Sequence, residues 1–329
     1  MELFNRIISL CDTIELLENK EYLFVYFELD CDEEKETRGY VCRECLNPSK
    51  WIKIKYKEQG RDNEGYILDG FIAEDEKGNR EEYLSLRQKD MDRFVTKMHE
   101  RSMAVFVDFT IINIRFLGAF LSSICKKEWK YVLFSYTEPQ RYILNTDKSR
   151  PDRKFDMKNK TLGFEEIPGL ETMGDTLEKS NWVVFLGFEE ERLKRMEEEV
   201  SVSRDYTIPV ICIPSMHVKW HNYAIDVNLS FLEKIPTAER DNISYVSSVN
   251  PFDVYNYLEQ EKQKCQHQLV ISPVSTKPVI LGTIMYILCH NEDMLLWDSP
   301  FQIKPNTENS GSTLVYDISD YVKRKGDIK

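Results

Sequence analysis

The sequence predicts an α/β protein: a Rossmann-like, mostly parallel sheet with helices on both faces, preceded by a small α+β domain. Three observations predict it. After Ser102, short and almost continuously apolar strands alternate with helical segments, as in βα units whose sheet is buried on both faces. Before that point the strands alternate apolar with charged residues, as half-exposed antiparallel strands do. A strand–polar turn–helix–strand unit also occurs twice, beginning at Phe106 and at Val270, which suits a fold built from two similar halves. The expected division is therefore residues 1–101 and 102–329, with a long insertion near 137–180, where the chain is charged and carries Pro139, Pro151 and Pro168.

In the N-terminal part, Leu3, Ile7, Leu10 and Ile14 recur at helical spacing and predict a helix from Glu2 to about Leu17. Tyr22–Leu29 is aromatic and β-branched, and Trp51–Tyr56 alternates apolar with basic, so both read as strands. Tyr66–Ala73 and Glu82–Leu86 flank a hairpin turn at Asp75-Glu76-Lys77-Gly78-Asn79, and Asp90–Arg101 reads as a helix. Beyond it the predicted strands are Val105–Phe109, Tyr131–Tyr136, Trp182–Leu186, Pro209–Ile213, Ile243–Val246, Leu269–Ile271 and Met294–Trp297. The predicted helices are Ile114–Lys126, Glu189–Val200, Asn222–Glu233, Pro251–Gln263 and Pro278–Cys289.

The net charge of −12 argues against bulk nucleic-acid binding, which needs a basic surface. No run of about 18 apolar residues predicts a membrane span, and Met1–Arg6 lacks a signal-peptide pattern, so a cytoplasmic location is expected. The eight cysteines are spread widely and read as reduced thiols. Cys42-Arg43-Glu44-Cys45 has zinc-knuckle spacing without a second ligand pair, so Cys42 and Cys45 are metal candidates only in name, and no cofactor is expected.

In an open parallel sheet, ligands bind beyond the C-terminal strand ends. That rule selects Ser272 and the turn Ser275-Thr276-Lys277-Pro278, where hydroxyls and a lysine sit at a helix start suited to an anion. It also selects Asp108, Thr110 and Asn113 after an earlier strand. The chain has no GxxxxGK[ST], GxGxxG, GxSxG or HExxH. If it is an enzyme, it is a hydrolase acting on nucleotides, with Asp108, Glu138, His217 and Asp298 as the acid–base candidates.

Ser272-Pro273-Val274-Ser275-Thr276-Lys277-Pro278-Val279-Ile280-Leu281-Gly282 resembles the TGGTKPM turn of CRISPR-associated Rossmann-fold (CARF) sensor domains and of the related double-Rossmann SAVED domains. Asp108-Phe109-Thr110 is similar to the first pocket motif of such domains. The family's two glycines are Val274 and Ser275 here, which narrows the approach of a phosphate to the backbone. The resemblance covers residues 102–329. It implies that Ser275, Thr276 and Lys277 contact a nucleotide-like ligand, faced by Thr110 and Asn113. It further implies a protein partner, a separate effector or a homo-oligomer, in prokaryotic antiviral defence. A structural subunit of a multiprotein complex is the remaining alternative.

Overall fold

The structure, a computed structural model, describes residues 6–28, 33–61, 67–142, 160–164, 166–172, 180–199, 202–213, 215, 217, 220–236, 243–265, 267–301 and 307–327. The chain is α/β and divides into two units. The first comprises residues 6–142, 167–169 and 307–329; the second comprises 143–166 and 170–306, together with residues 1–5.

The first unit is built on β1 (Ile7–Ser9), β2 (Leu23–Glu28), β3 (Trp51–Arg61), β4 (Ile67–Asp75), β5 (Arg80–Tyr83), β6 (Ala104–Asp108) and β7 (Tyr131–Tyr142). Its helices are α1 (Leu10–Leu17), α2 (Glu33–Leu46), α3 (Gln88–Arg101) and α4 (Ile114–Ile124). The second unit holds β8 (Lys160–Phe164), β9 (Asn181–Leu186), β10 (Thr207–Cys212), β11 (Ser244–Val246), β12 (Leu269–Pro273), β13 (Met294–Leu295) and β14 (Asp298–Phe301). Its helices are α5 (Glu190–Glu199), α6 (Trp220–Val227), α7 (Leu229–Leu232), α8 (Pro251–Lys264) and α9 (Lys277–Cys289). The chain then returns to the first unit with β15 (Thr307–Asp317) and α10 (Ser319–Asp327).

The first unit's sheet has the order β1-β15-β7-β6-β2-β3-β4-β5. Its central strands β3, β2, β6 and β7 are parallel, and antiparallel strands extend both edges. Strand alternation sends Phe24, Tyr26 and Phe106 to one face, where they pack with Leu17 of α1 and Cys42 of α2. Phe27 and Phe71 go to the other, against Phe116 of α4 at ring distances of 5.2 and 5.0 Å.

The expected boundary at 101/102 therefore runs through a single sheet. β2 lies parallel to β6, with Phe24 opposite Phe106, so residues 1–101 are not a separate α+β domain. Two further expectations change. The predicted N-terminal helix is a short strand pairing with β15 followed by a helix from Leu10. Ser9 divides them, because its Oγ caps the helix through the Asp12 amide at 3.0 Å. The predicted insertion begins late: residues 137–142 belong to β7, and most of 143–180 lies outside the described residues.

The second unit's main sheet is parallel throughout, in the order β11-β10-β9-β12-β13. In chain sequence these strands read 3-2-1-4-5, the doubly wound order, with its switch point between β9 and β12. Trp182, Val184, Val270, Leu193 and Phe231 form a core on the α5 and α7 face. On the opposite face Phe185 meets Tyr257 of α8 at 6.2 Å. β8 and β14 form a separate antiparallel pair.

The two repeated segments take equivalent places. β6-α4-β7 and β12-α9-β13 each start on the strand that borders their unit's switch point, beside β2 and β9 respectively.

Candidate functional site

In the second unit three strand-end segments converge on one rim. The turn after β12 rests directly on the end of β9. A Cβ built on Gly187 would stand 2.0 Å from the Val274 carbonyl oxygen and 3.3 Å from the Ser275 Cα. Only glycine permits that approach. Asn228 holds Gly187 in place by donating its side-chain amide to the Gly187 carbonyl at 2.8 Å. The same turn reaches the end of β10, where the Ser275 hydroxyl donates to the Cys212 sulfur at 3.3 Å. Burial pushes the Cys212 thiol up to about 12, against the lowering effect of Ser275, so it stays protonated. Gly187→Ala is expected to cost about 1–3 kcal/mol through forced overpacking. A thermal melt indistinguishable from wild type would show that the turn yields easily.

The candidate hydroxyls are largely engaged inside the protein. Ser272 is fully buried, and its Oγ accepts from the Trp182 indole N–H at 2.9 Å. Thr276 stands at the N-cap position of α9 but donates its hydroxyl to the Ser248 carbonyl instead of capping. Lys277 is the first residue of α9 and is half-buried. It brings a positive charge to this rim, where α9 begins with its positive dipole end.

Thr110 and Asn113 belong to the first unit, away in sequence from the Ser272–Lys277 segment and in a different sheet. Thr110 Oγ1 accepts from the Thr137 amide at 2.9 Å, and Asn113 Oδ1 caps α4 through the Arg115 amide at 2.8 Å. The Asn113 contact follows from the local backbone, which leaves amides without helical partners at the start of α4, whereas Thr110 ties its turn to β7.

The acid–base candidates come from both units. Asp108 and Glu138 lie in the first unit, His217 and Asp298 in the second. Asp108 is buried at the end of β6. Its Oδ1 accepts from the Thr110 amide at 2.9 Å, while Oδ2 has no hydrogen-bond partner. Burial pushes its carboxyl up to about 7, opposed by Thr110, Ser135 and Cys42. Glu138 accepts from the Ser312 amide at 3.2 Å. The His217 ring lies 4.1 Å from that of Trp220, tilted at 54°. Asp298 is fully buried and ion-paired with Arg192, at 2.7 Å from Nε and 2.6 Å from Nη2. Burial raises its carboxyl pKa and the Arg192 charge opposes the rise.

Cys42 is buried in the core beside Phe24 and Tyr26, whereas Cys45 is exposed. Among the described residues, one cluster of metal-capable side chains occurs elsewhere, at His290, Glu292 and Asp293. Lys262 already occupies Asp293 at 2.6 Å, and Tyr286 donates to the same carboxylate.

Two groups escaped sequence reasoning. Arg192 reads as one more charge in the acidic start of a helix, yet it is the buried partner of Asp298 and Glu189 and lies over Trp297 at 4.8 Å. Phe188, Trp220 and Tyr223 are half-buried aromatics at the ends of β9 and β10. Trp220 and Tyr223 sit in a stretch whose polar residues dominate the pattern, so only the return of an aromatic after three positions signalled them.

No helix among the described residues is long and apolar enough to cross a membrane. No known protein family, curated protein or solved structure matches this chain.

Proposed function

We propose that the chain is a sensor that binds a nucleotide-like anion at the rim of its second unit. It would work with a separate effector in prokaryotic antiviral defence, as the similarity to CARF and SAVED domains implies. One observation carries the reading. The segment Val274–Lys277 follows β12, the strand that borders the switch point of a 3-2-1-4-5 parallel sheet, where open α/β sheets take their ligands. Lys277 supplies the charge and the start of α9 the dipole.

Isothermal titration against cyclic di-, tri- and tetranucleotides tests the reading. Lys277→Ala is expected to weaken binding about 10- to 100-fold, the loss of one charge-assisted hydrogen bond. Absence of heat with every member, or unchanged affinity in Lys277→Ala, overturns it. Product formation during incubation with the same nucleotides would instead establish a hydrolase.

A further inference from the structure

In the first unit, the N-terminal ends of the parallel strands carry a group of lysines. Two of them meet over one ring. Lys20 Nζ stands 5.0 Å and Lys130 Nζ 5.8 Å from the centre of the Tyr131 ring, so ammonium groups from distant parts of the chain share one small region. The ring attracts both cations and offsets part of their mutual repulsion.

Further lysines lie beside them. Tyr131 begins β7, and the next residue, Val132, donates its amide to Ser319 Oγ at 2.9 Å and accepts from the Ile318 amide at 3.0 Å. The start of α10 is thereby fixed to this end of the sheet. Near its other end, a Cβ built on Gly326 would stand 3.9 Å from the Cys125 carbonyl oxygen, which sets Lys325 beside the loop that carries Lys127 and Lys130. Lys20 and Lys130 are exposed, Lys127 and Lys325 half-exposed, and none of the four has an ion pair among the described residues. Glu128 lies in the same loop and pairs with neither neighbour.

Cations near a helix C-terminus stabilise it through its dipole, which accounts for Lys127 just after α4 and Lys325 in the last turn of α10. It does not account for Lys20 and Lys130, whose ammoniums are turned onto Tyr131. The four charges make a local field opposite in sign to the whole chain, whose net charge is −12. At 0.1 M salt, charges beyond about 10 Å are largely screened, so a polyanion bound here responds to the lysines more than to the net charge. A protein or membrane partner finds little apolar anchorage. Tyr131 is half-buried under its two ammoniums, and Met103, whose carbonyl accepts from the Lys130 amide, is the exposed apolar neighbour. A polar, positive surface matches nucleic acid better, because lysines hold backbone phosphates without reading sequence.

We propose that this end of the first unit binds the phosphate backbone of a nucleic acid, with Lys20, Lys127, Lys130 and Lys325 each contacting a phosphate. The proposal is independent of the ligand rim of the second unit.

Fluorescence anisotropy with a labelled single-stranded oligonucleotide and with its duplex, at about 50 to 200 mM salt, tests it. Four phosphate contacts predict that log K falls against log salt with a slope of about −2.8 on the single strand and about −3.6 on the duplex. The double variant Lys20→Gln with Lys130→Gln is expected to flatten the single-strand slope to about −1.4 and to weaken binding about 50-fold at the lowest salt. Lys127→Gln with Lys325→Gln is expected to do the same. Lys194→Glu removes the same two units of charge from the exposed side of α5 in the second unit, and is expected to bind within about threefold of wild type. Melting curves report the fold of each variant. No binding by wild type at the lowest salt overturns the proposal, as do folded double variants with the wild-type slope or an equal loss in Lys194→Glu. Tighter binding of polyglutamate or of anionic vesicles than of either oligonucleotide also overturns it, and makes the partner an acidic protein or a membrane.

Discussion

Wild-type protein is expected to lose stability as pH rises from about 4 to about 7, and Asp108→Asn is expected to remove most of that slope. Asp108 is buried at the end of β6 with Oδ2 unpartnered, and burial pushes its carboxyl up to about 7. In the unfolded chain the same group titrates near 3.9. Between these values the folded state holds a proton that the unfolded state has released, so unfolding becomes easier with each added pH unit. The stabilising contribution is complete below about pH 4 and lost once pH passes about 7. Its full size is about 4 kcal/mol, from a shift of about three units. The groups that face the carboxyl are Cys42 from α2, Ser135 from β7 and Thr110 from its own turn. Burial and the neighbouring Asp108 both raise the Cys42 thiol, so it stays protonated across this range. Asparagine mimics the protonated acid and carries no charge. Urea midpoints at pH 5, 6, 7 and 8 are expected to fall for wild type and stay level for Asp108→Asn, with the variant more stable at pH 8. Parallel curves would mean that Asp108 is ionised and solvated in the native protein.

Removing Arg192 is the second large effect. Its guanidinium is fully buried, pairs with Asp298 and Glu189 and lies over Trp297. Burial disfavours its charge, but the two carboxylates outweigh that cost and hold it protonated. Arg192→Leu leaves Asp298 buried without its main counter-charge and its two hydrogen bonds, and Arg195, 3.8 Å off, supplies charge beyond hydrogen-bond distance. A loss of about 3–5 kcal/mol is expected, because an orphaned buried charge costs more than the pair contributes. The double variant Arg192→Leu with Asp298→Leu is expected to recover most of it. Guanidinium denaturation followed by circular dichroism measures both. A loss below about 1 kcal/mol for the single variant would mean that water reaches Asp298.

Much of the fold was legible because buried strands and amphipathic helices leave strong patterns. The βα series after Ser102 appears in nearly the expected places, and the Asp75–Asn79 turn holds with Gly78 at φ 80°. What failed had physical reasons. Helix α2 carries few apolar residues, since part of its buried side consists of Arg38, Gly39 and Cys42. The predicted strand Tyr131–Tyr136 stops short of Pro139, a residue that cannot donate to a ladder, while β7 runs on to Tyr142. The partner strand β15 accommodates it with an irregular register between Ser310 and Thr313, next to Asn309 at φ 53°. That Asn-, Gly- and Ser-rich stretch reads as a loop for the same reason that it works as a bulged strand. The domain boundary failed because periodicity names elements without naming their neighbours. Nothing local to Phe24 reveals that it lies opposite Phe106.

The site was legible in position more than in contacts. The rule of the strand ends led to Lys277, but the inward turn of Ser272, Ser275 and Thr276 depends on distant partners such as Trp182 and Cys212. The aromatic rings escaped because they come together from β9 and β10 only after the sheet is wound.

β15 also sets an order of assembly. It pairs with both β1 and β7, yet the chain reaches it only after all the parallel strands of the second unit. On a ribosome that releases the chain from its N-terminus, the second unit can complete its sheet while β7 still waits with one open edge. A nascent chain stalled before Thr307 would expose that edge, together with an unpartnered β1, to any other strand nearby. The last strand made is thus the clasp of the first sheet begun.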